Sequence, residues 1–399
     1  MVSLVRASWS EAVARTFRRG WKGDNVSMAA ADPQGRTIAL VSTQRDWGGG
    51  EEQTRLLADG LRRRGASCVV LARGDGLLAR RMGEAGFEVI PFLGGGLSPA
   101  SWWQIHRQLR RLRPDILHYN DAHALLAAGV ASAGLKIPAR IAARRVLFPV
   151  RRTIPYRLFA DRVVCVSRAV ADVCLASGLS RESLRVVYDG VDPARVAAGD
   201  RQRGRRALGV ADDQLLLVTI ARLTDCKGHA TLLEALPAVF RRYPRALSVL
   251  AGDGELAADL QSLCARLGLD GKVRFLGFRH DVPDLIQAAD LFVLPSHQEG
   301  LCSTLIDAML AGRAIVTTSA GGIPELVGGA GPSSEPLAWM VPPRDPAALA
   351  EAINAALASP DERALRAERA CQQARRLFTA DQMVEATWAV CAELLNKRA

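Results

Sequence analysis

The chain has 399 residues, 49% of them hydrophobic and 23% charged, which excludes a disordered polymer and is too much sequence for one small core. Its eight cysteines are scattered, with no CxxC pair and no Cys/His cluster at ligand spacing, so a disulfide framework and a structural zinc site are excluded. The net charge of +11 sits in the first half: residues 1–200 hold 30 Lys+Arg against 18 Asp+Glu (+12) and residues 201–399 hold 22 against 23 (−1), a bias that suits contact with something anionic.

No apolar run reaches the roughly 20 residues that span a bilayer. Residues 1–35 lack the continuous apolar core of a secretory signal and read as an extension ahead of the first strand, with Met28 as an alternative start. A buried-type strand is expected over 37–42. It runs into Trp47-Gly48-Gly49-Gly50, a helix over 51–64 and a second strand over 68–72. This strand, glycine loop, helix, strand order implies a parallel sheet. The alternation continues with a helix over 102–112, a strand over 115–119, a helix over 122–133 and strands over 140–144, 162–166 and 184–188, with a helix over 169–176 between the last two. The helix over 102–112 opens on Trp102 and Trp103 and carries Arg107, Arg110 and Arg111, a pattern shared by interfacial helices and by ordinary half-solvated ones.

Pro193 to Gly209 is polar, Arg-rich and punctuated by glycine, as linkers are. A second series follows, with strands over 215–221, 246–251, 273–276, 291–294, 314–318 and 339–341 and helices between them. A helical stretch over 346–396, broken at Ser359-Pro360, closes the chain. Both halves therefore read as doubly wound α/β units. Such sheets bind ligands beyond the carboxyl ends of their strands, and two facing sheets place the site in the cleft between them.

The residues suited to chemistry sit at those strand ends. After the strand over 291–294 comes Pro295-Ser296-His297-Gln298-Glu299-Gly300-Leu301-Cys302, then a helix with Asp307 about two turns in. An acid and free backbone N–H groups at a helix start suit an anionic, hydroxyl-rich ligand. A carboxylate at a helix start also serves as a dipole partner, whereas Asp307 in a helix interior is disfavoured by propensity. Arg222 and Lys227, five residues apart after the first strand of the second half, offer a fork and a point charge to one pyrophosphate. Gly48-Gly49-Gly50-Glu51 follows the first strand but is not GxGxxG, and no acid closes the second strand, so dinucleotide binding is disfavoured. Gly321-Gly322-Ile323-Pro324-Glu325 fixes a turn in which Glu325 is structural or ligand-facing. His118, at the end of the strand over 115–119, is expected to face the cleft, where a histidine polarises a hydroxyl or holds a sugar.

Taken in order, these motifs resemble family 4 glycosyltransferases, retaining nucleotide-sugar transferases of the GT-B fold. The likeness runs from about Ile38 to Val327. Glu299…Asp307 is similar to the family's Glu-x7-Glu, Arg222…Lys227-Gly228 to its phosphate clamp, and the two glycine turns to its Gly-Gly-x-Glu and Gly-Gly-x-x-Glu loops. The resemblance implies an α/β chain of two facing Rossmann-like domains: an acceptor domain over 36–195, a linker over 196–209, a nucleotide-sugar-binding domain over 210–375 and a closing helix over 376–399 that packs back toward the first domain. It implies catalytic roles for His118, Arg222, Lys227 and Glu299. The donor would lie against Gly48, Gly49, Arg222, Lys227, Glu299, Gly300, Leu301, Cys302 and Asp307, with its base near Gly277, Phe278 and Arg279. Two departures stand out: the second acid is Asp307, one methylene short, and Asn120 replaces the second histidine of a His-x-His strand end.

The expected activity is transfer from a UDP-, GDP- or ADP-linked sugar to a hydroxyl of a glycan or lipid-linked acceptor, as in cell-envelope or lipopolysaccharide synthesis. No metal or other cofactor is expected, because cationic side chains supply the charge. The chain is expected in the cytoplasm, with the basic first domain suited to peripheral contact at the inner face of the cytoplasmic membrane. A nucleotide-sugar epimerase of the same fold is the alternative. A nucleic-acid-binding protein is disfavoured, because none of the usual motifs is present.

Overall fold

A computed structural model describes residues 32–328 and 335–397. The expectation for the N-terminal extension falls almost wholly outside them.

Two parallel sheets organise the chain. The first has seven strands: β1 (Thr37–Ser42), β2 (Ser67–Arg73), β3 (Glu88–Phe92), β4 (Ile116–Tyr119), β5 (Ala139–Arg144), β6 (Arg162–Cys165) and β7 (Leu184–Val186), in the order β3-β2-β1-β4-β5-β6-β7. The second has six: β8 (Leu216–Ile220), β9 (Leu247–Ala251), β10 (Val273–Gly277), β11 (Leu291–Leu294), β12 (Ile315–Thr318) and β13 (Trp339–Val341), in the order β10-β9-β8-β11-β12-β13. Central strands read as unbroken apolar runs because both faces are covered; β8 and β11 are buried at every residue. The order reverses between β1 and β4 and again between β8 and β11, which puts a switch point in each sheet.

Helices cover both faces. In the first lobe, helices Pro99–Leu112, Ala122–Ala131 and Ile154–Phe159 form one layer. On the other face, helices Gly49–Arg63 and Leu77–Glu84 pack together with the last helix of the chain, Ala380–Asn396. A Cβ on Gly60 would lie 2.5 Å from Val384, so that last helix seats on Gly49–Arg63 at side-chain contact distance. The chain crosses between lobes twice, side by side: Val191 N–H donates to the Phe378 carbonyl at 3.0 Å and Ala380 N–H to the Val191 carbonyl at 2.9 Å.

Several elements depart from the sequence reading. Strand β3 and helix Leu77–Glu84 occupy a stretch given no element; β3 lies at the sheet edge and contains Pro91, so it carries little strand signal. The polar stretch read as a linker forms helices Pro193–Ala197 and Arg201–Leu208. The second packs on helix Val282–Ala288 through Arg205, only 2% exposed, whose two terminal nitrogens donate to the carbonyls of Ala288, Ala211 and Gln214 and to Asp290. Arginine that finds enough acceptors is buried in spite of its charge.

Candidate functional site

In the second lobe the candidate residues sit beyond β8 and β11. The loop after β8 makes a short turn, Asp225–Lys227, closed by Gly228 in the left-handed region (φ 69°). His297 N–H donates to the Cys226 carbonyl at 2.7 Å, which ties this loop to the end of β11. The result brings Lys227 Nζ to 2.6 Å from Glu299 Oε1, an oxygen that also accepts from Ser296 Oγ at 2.8 Å. Burial alone would lower the Lys227 ammonium pKa; the Glu299 carboxylate outweighs it, and the net shift is upward. Lys227 is therefore a fixed positive charge across the working pH range.

Helix Ser303–Leu310 begins at the lip of this site. Its N-cap residue, Cys302, makes no side-chain capping hydrogen bond. Leu301 and Cys302 are buried, and burial pushes the Cys302 thiol up to about 12. Asp307 lies inside this helix, and its carboxylate is paired with Arg195 of helix Pro193–Ala197. Burial raises the Asp307 carboxyl to about 6, against the lowering effect of Arg195. Arg222 is exposed at the end of β8, and its carbonyl oxygen lies 3.1 Å from His229 Nε2. Burial holds the His229 ring neutral, at about 4. In the region expected to meet the base, Gly277 is left-handed (φ 62°) and Phe278 is exposed, edge-on to His280 at 4.8 Å. Arg279 is engaged by Asp281 through two bonds of 2.8 and 2.6 Å.

The first lobe contributes a polar cluster beyond β1 and β4. Asn120, the residue in place of the second histidine, accepts from the Arg145 guanidinium at 2.6 Å and donates to Glu51 at 3.4 Å. Arg145 also reaches Asp189 at 3.3 Å. Burial raises the carboxyl pKa of both Glu51 and Asp189, with Arg145 opposing it. His118, at the end of β4, is enclosed. It is 3% exposed, on the sheet face beneath helix Gly49–Arg63, and burial together with Arg145 pushes it down to about 3. A neutral imidazole there donates through one ring nitrogen and accepts through the other, and carries no positive charge at neutral pH. Gly48 caps helix Gly49–Arg63, and a Cβ on Gly49 would meet nothing within 4 Å. The protein's own packing therefore does not demand glycine at 49.

The lobes meet around these groups. A Cβ on Gly300 would stand 2.0 Å from the Arg145 carbonyl oxygen, so only glycine permits this approach. Glu325 accepts from the N–H groups of Arg168 and Ala169 at 2.8 and 2.9 Å, capping a first-lobe helix from the second lobe, which gives it a structural place. The sequence reading assigned no role to Arg195 or Asp189. Their type and spacing are ordinary, and only the tertiary fold aims them at the site. Among the described residues no three His, Cys, Asp or Glu side chains converge as a metal site requires.

Known proteins resemble both halves of the chain. Residues 47–195 match the family described as Glycosyltransferase Family 4, and residues 200–373 match Glycosyl transferases group 1. The lipopolysaccharide core biosynthesis glycosyltransferase LpsE of Rhizobium meliloti is 31% identical over 175 residues, 44% of this chain and 48% of that protein. A D-inositol 3-phosphate glycosyltransferase of Saccharomonospora viridis is 31% identical over 229 residues, 54% and 52% of the two chains. The alignments thus span about half the length of these curated relatives. Among solved structures, Anabaena Alr3699/HepE in complex with UDP and glucose superposes with a TM-score of 0.78 at 25% identity, covering 89% of this chain and 99% of that one. WaaG, a glycosyltransferase involved in lipopolysaccharide biosynthesis, shares the fold, with a TM-score of 0.66 at 19% identity over 90% of this chain and 99% of that one. With both lobes matched in order and the two facing sheets in place, the chain belongs to the family 4 glycosyltransferases of the GT-B fold.

Proposed function

We propose that the protein transfers a sugar from a nucleoside diphosphate sugar to a hydroxyl of a glycan or lipid-linked acceptor, with retention of configuration, in cell-envelope or lipopolysaccharide synthesis. The observation that carries the proposal is the Lys227–Glu299 pair beside a helix start whose N-cap side chain makes no capping hydrogen bond, at the switch point of the second sheet. A diphosphate suits this place: Lys227 and the exposed Arg222 supply positive charge, and the helix start supplies directional N–H donors. Glu299, already in contact with Lys227, is placed to accept from sugar hydroxyls, and Asp307 from the ribose. Phe278 offers an open aromatic face near the base.

In the proposed step the bond from the anomeric carbon to the leaving phosphate oxygen breaks, and the bond to the acceptor oxygen forms on the same face. The acceptor proton passes to the departing phosphate, whose growing charge Lys227 and Arg222 stabilise. No metal is needed for that charge balance. The buried, neutral His118 serves as an orienting group at the floor of the first lobe rather than as a base. The capture of UDP and glucose by HepE makes UDP-sugars the first donors to test.

A thermal-shift screen against UDP-, GDP-, ADP- and CMP-sugars identifies the donor, since a ligand that binds only the folded chain raises its melting temperature. Acceptor-dependent release of nucleotide then separates transfer from epimerisation. Lys227→Ala is expected to cut turnover by about 10²-fold or more with the fold intact, measured by nucleotide release. Wild-type turnover in that variant would remove the clamp role.

A further inference from the structure

We infer that the first-lobe segment from Phe148 to Leu158 docks on an anionic lipid bilayer, at the mouth of the cleft. The inference rests on the proposed reading that the acceptor is lipid-linked, and it names the surface that meets the lipid. Phe148, Ile154 and Leu158 are 60%, 67% and 65% exposed. Ile154 and Leu158 stand one turn apart on helix Ile154–Phe159, on the face opposite buried Tyr156. Soluble surfaces carry single exposed apolar side chains, but three large ones on one short segment mark an interaction site.

Charge identifies the partner. Between Asp121 and Asp161 there is no acidic residue, while seven Lys or Arg fall in that interval. Arg151 and Arg152 are exposed among the apolar side chains, and neither is paired with a carboxylate among the described residues. Arg157 donates to the Gly178 carbonyl, a neutral acceptor that leaves its charge uncompensated. A protein partner would answer such a face with carboxylates at fixed positions. An anionic bilayer answers it with a uniform negative potential over an apolar interior, which is what large apolar tips ringed by arginine fit.

Position adds to this. The segment follows the carboxyl end of β5, so it leaves the sheet at the cleft side, and the residues just ahead of it, Arg145 and Val146, lie against the second lobe at Gly300. Helix Pro99–Leu112, in the same layer, adds the exposed Trp103 with the Arg107 guanidinium 5.7 Å from its ring centroid. A bilayer held here would present a membrane-embedded acceptor to the gap between Gly49 and Lys227 without the acceptor leaving the lipid.

The test is co-sedimentation of the full chain with vesicles of phosphatidylcholine alone and of phosphatidylcholine containing about a quarter phosphatidylglycerol. The wild type is expected on the anionic vesicles only, with binding that falls as salt rises. Arg151→Gln with Arg152→Gln is expected to weaken binding roughly ten- to thirty-fold. The triple change Phe148→Ser, Ile154→Ser, Leu158→Ser is expected to weaken it at least about ten-fold. Both variants should keep the wild-type melting temperature and donor-induced thermal shift, since neither touches the donor groups. Equal binding to neutral vesicles, no binding to anionic ones, or variants that bind as wild type would each overturn the inference. Donor binding is read separately, so its loss in the wild type would count against the proposed function and not against the docking surface. If the triple variant does not fold, the arginine pair decides alone.

Discussion

Asp307 is one methylene shorter than the glutamate its position resembles, and Arg195 is the cation that meets it. Burial raises this carboxyl to about 6, so its ionised form near neutrality depends on Arg195. If Asp307 accepts ribose hydroxyls as an anion, donor affinity should fall as pH drops through about 6. Arg195→Ala should move that midpoint upward and raise KM for the donor more than it lowers kcat, with Arg195→Lys restoring part of the effect. A purely structural role for Arg195 would lower stability without moving the pH midpoint, so the profile of KM against pH separates the two. The chemistry of Lys227, Glu299 and Asp307 is readable from residue type and spacing at strand ends. Their partners are not: Arg195 lies 112 residues from Asp307, and nothing local marks it. His118 shows the opposite limit. Its place at a strand end is legible, but the face on which its ring lies depends on the helix packed over it.

At the scale of elements, the central strands announce themselves as apolar runs because both faces are buried, whereas β3 does not, because an edge strand holding Pro91 needs no such run. Helices Pro193–Ala197 and Arg201–Leu208 were hidden for a different reason. Composition treats arginine as solvated, while Arg205 is enclosed by carbonyl acceptors that only the tertiary fold supplies. The last helix, Ala380–Asn396, is held on the first lobe by Glu393, which meets Arg162 and Arg185 at 2.8 Å and Lys397 at 2.9 Å. Burial alone would raise the Glu393 carboxyl; the donors from Arg185, Arg162 and Lys397 outweigh it and bring it down to about 2. A folded-state value below the unfolded one makes the stabilisation complete above the unfolded pKa, about 4.3, and lost as pH falls through the folded value. Glu393→Gln should therefore cost about 1–2 kcal/mol at neutral pH after solvent screening, and nearly nothing near pH 2. Chemical denaturation at several pH values measures that difference.

For the whole molecule, the decisive geometry is the contact that only glycine permits between the lobes. Gly300→Ala would place a Cβ 2.0 Å from the Arg145 carbonyl, so the lobes of this variant should rest further apart. Its radius of gyration in solution scattering should rise and its turnover fall, while UDP-sugar thermal shifts persist, because Arg222 and Lys227, the groups proposed to hold the diphosphate, belong to the second lobe. Loss of donor binding together with turnover would instead mean that the second lobe itself had been disturbed. The doubly crossed connection at Val191 and Thr379 also bears on how the chain is made. Helix Ala380–Asn396 completes the packing over Gly49–Arg63, so a ribosome releases the N-terminal half long before the piece that covers it exists. Throughout translation of the second lobe, that half waits with the face of helix Gly49–Arg63 around Gly60 uncovered, a bare patch that invites a chaperone.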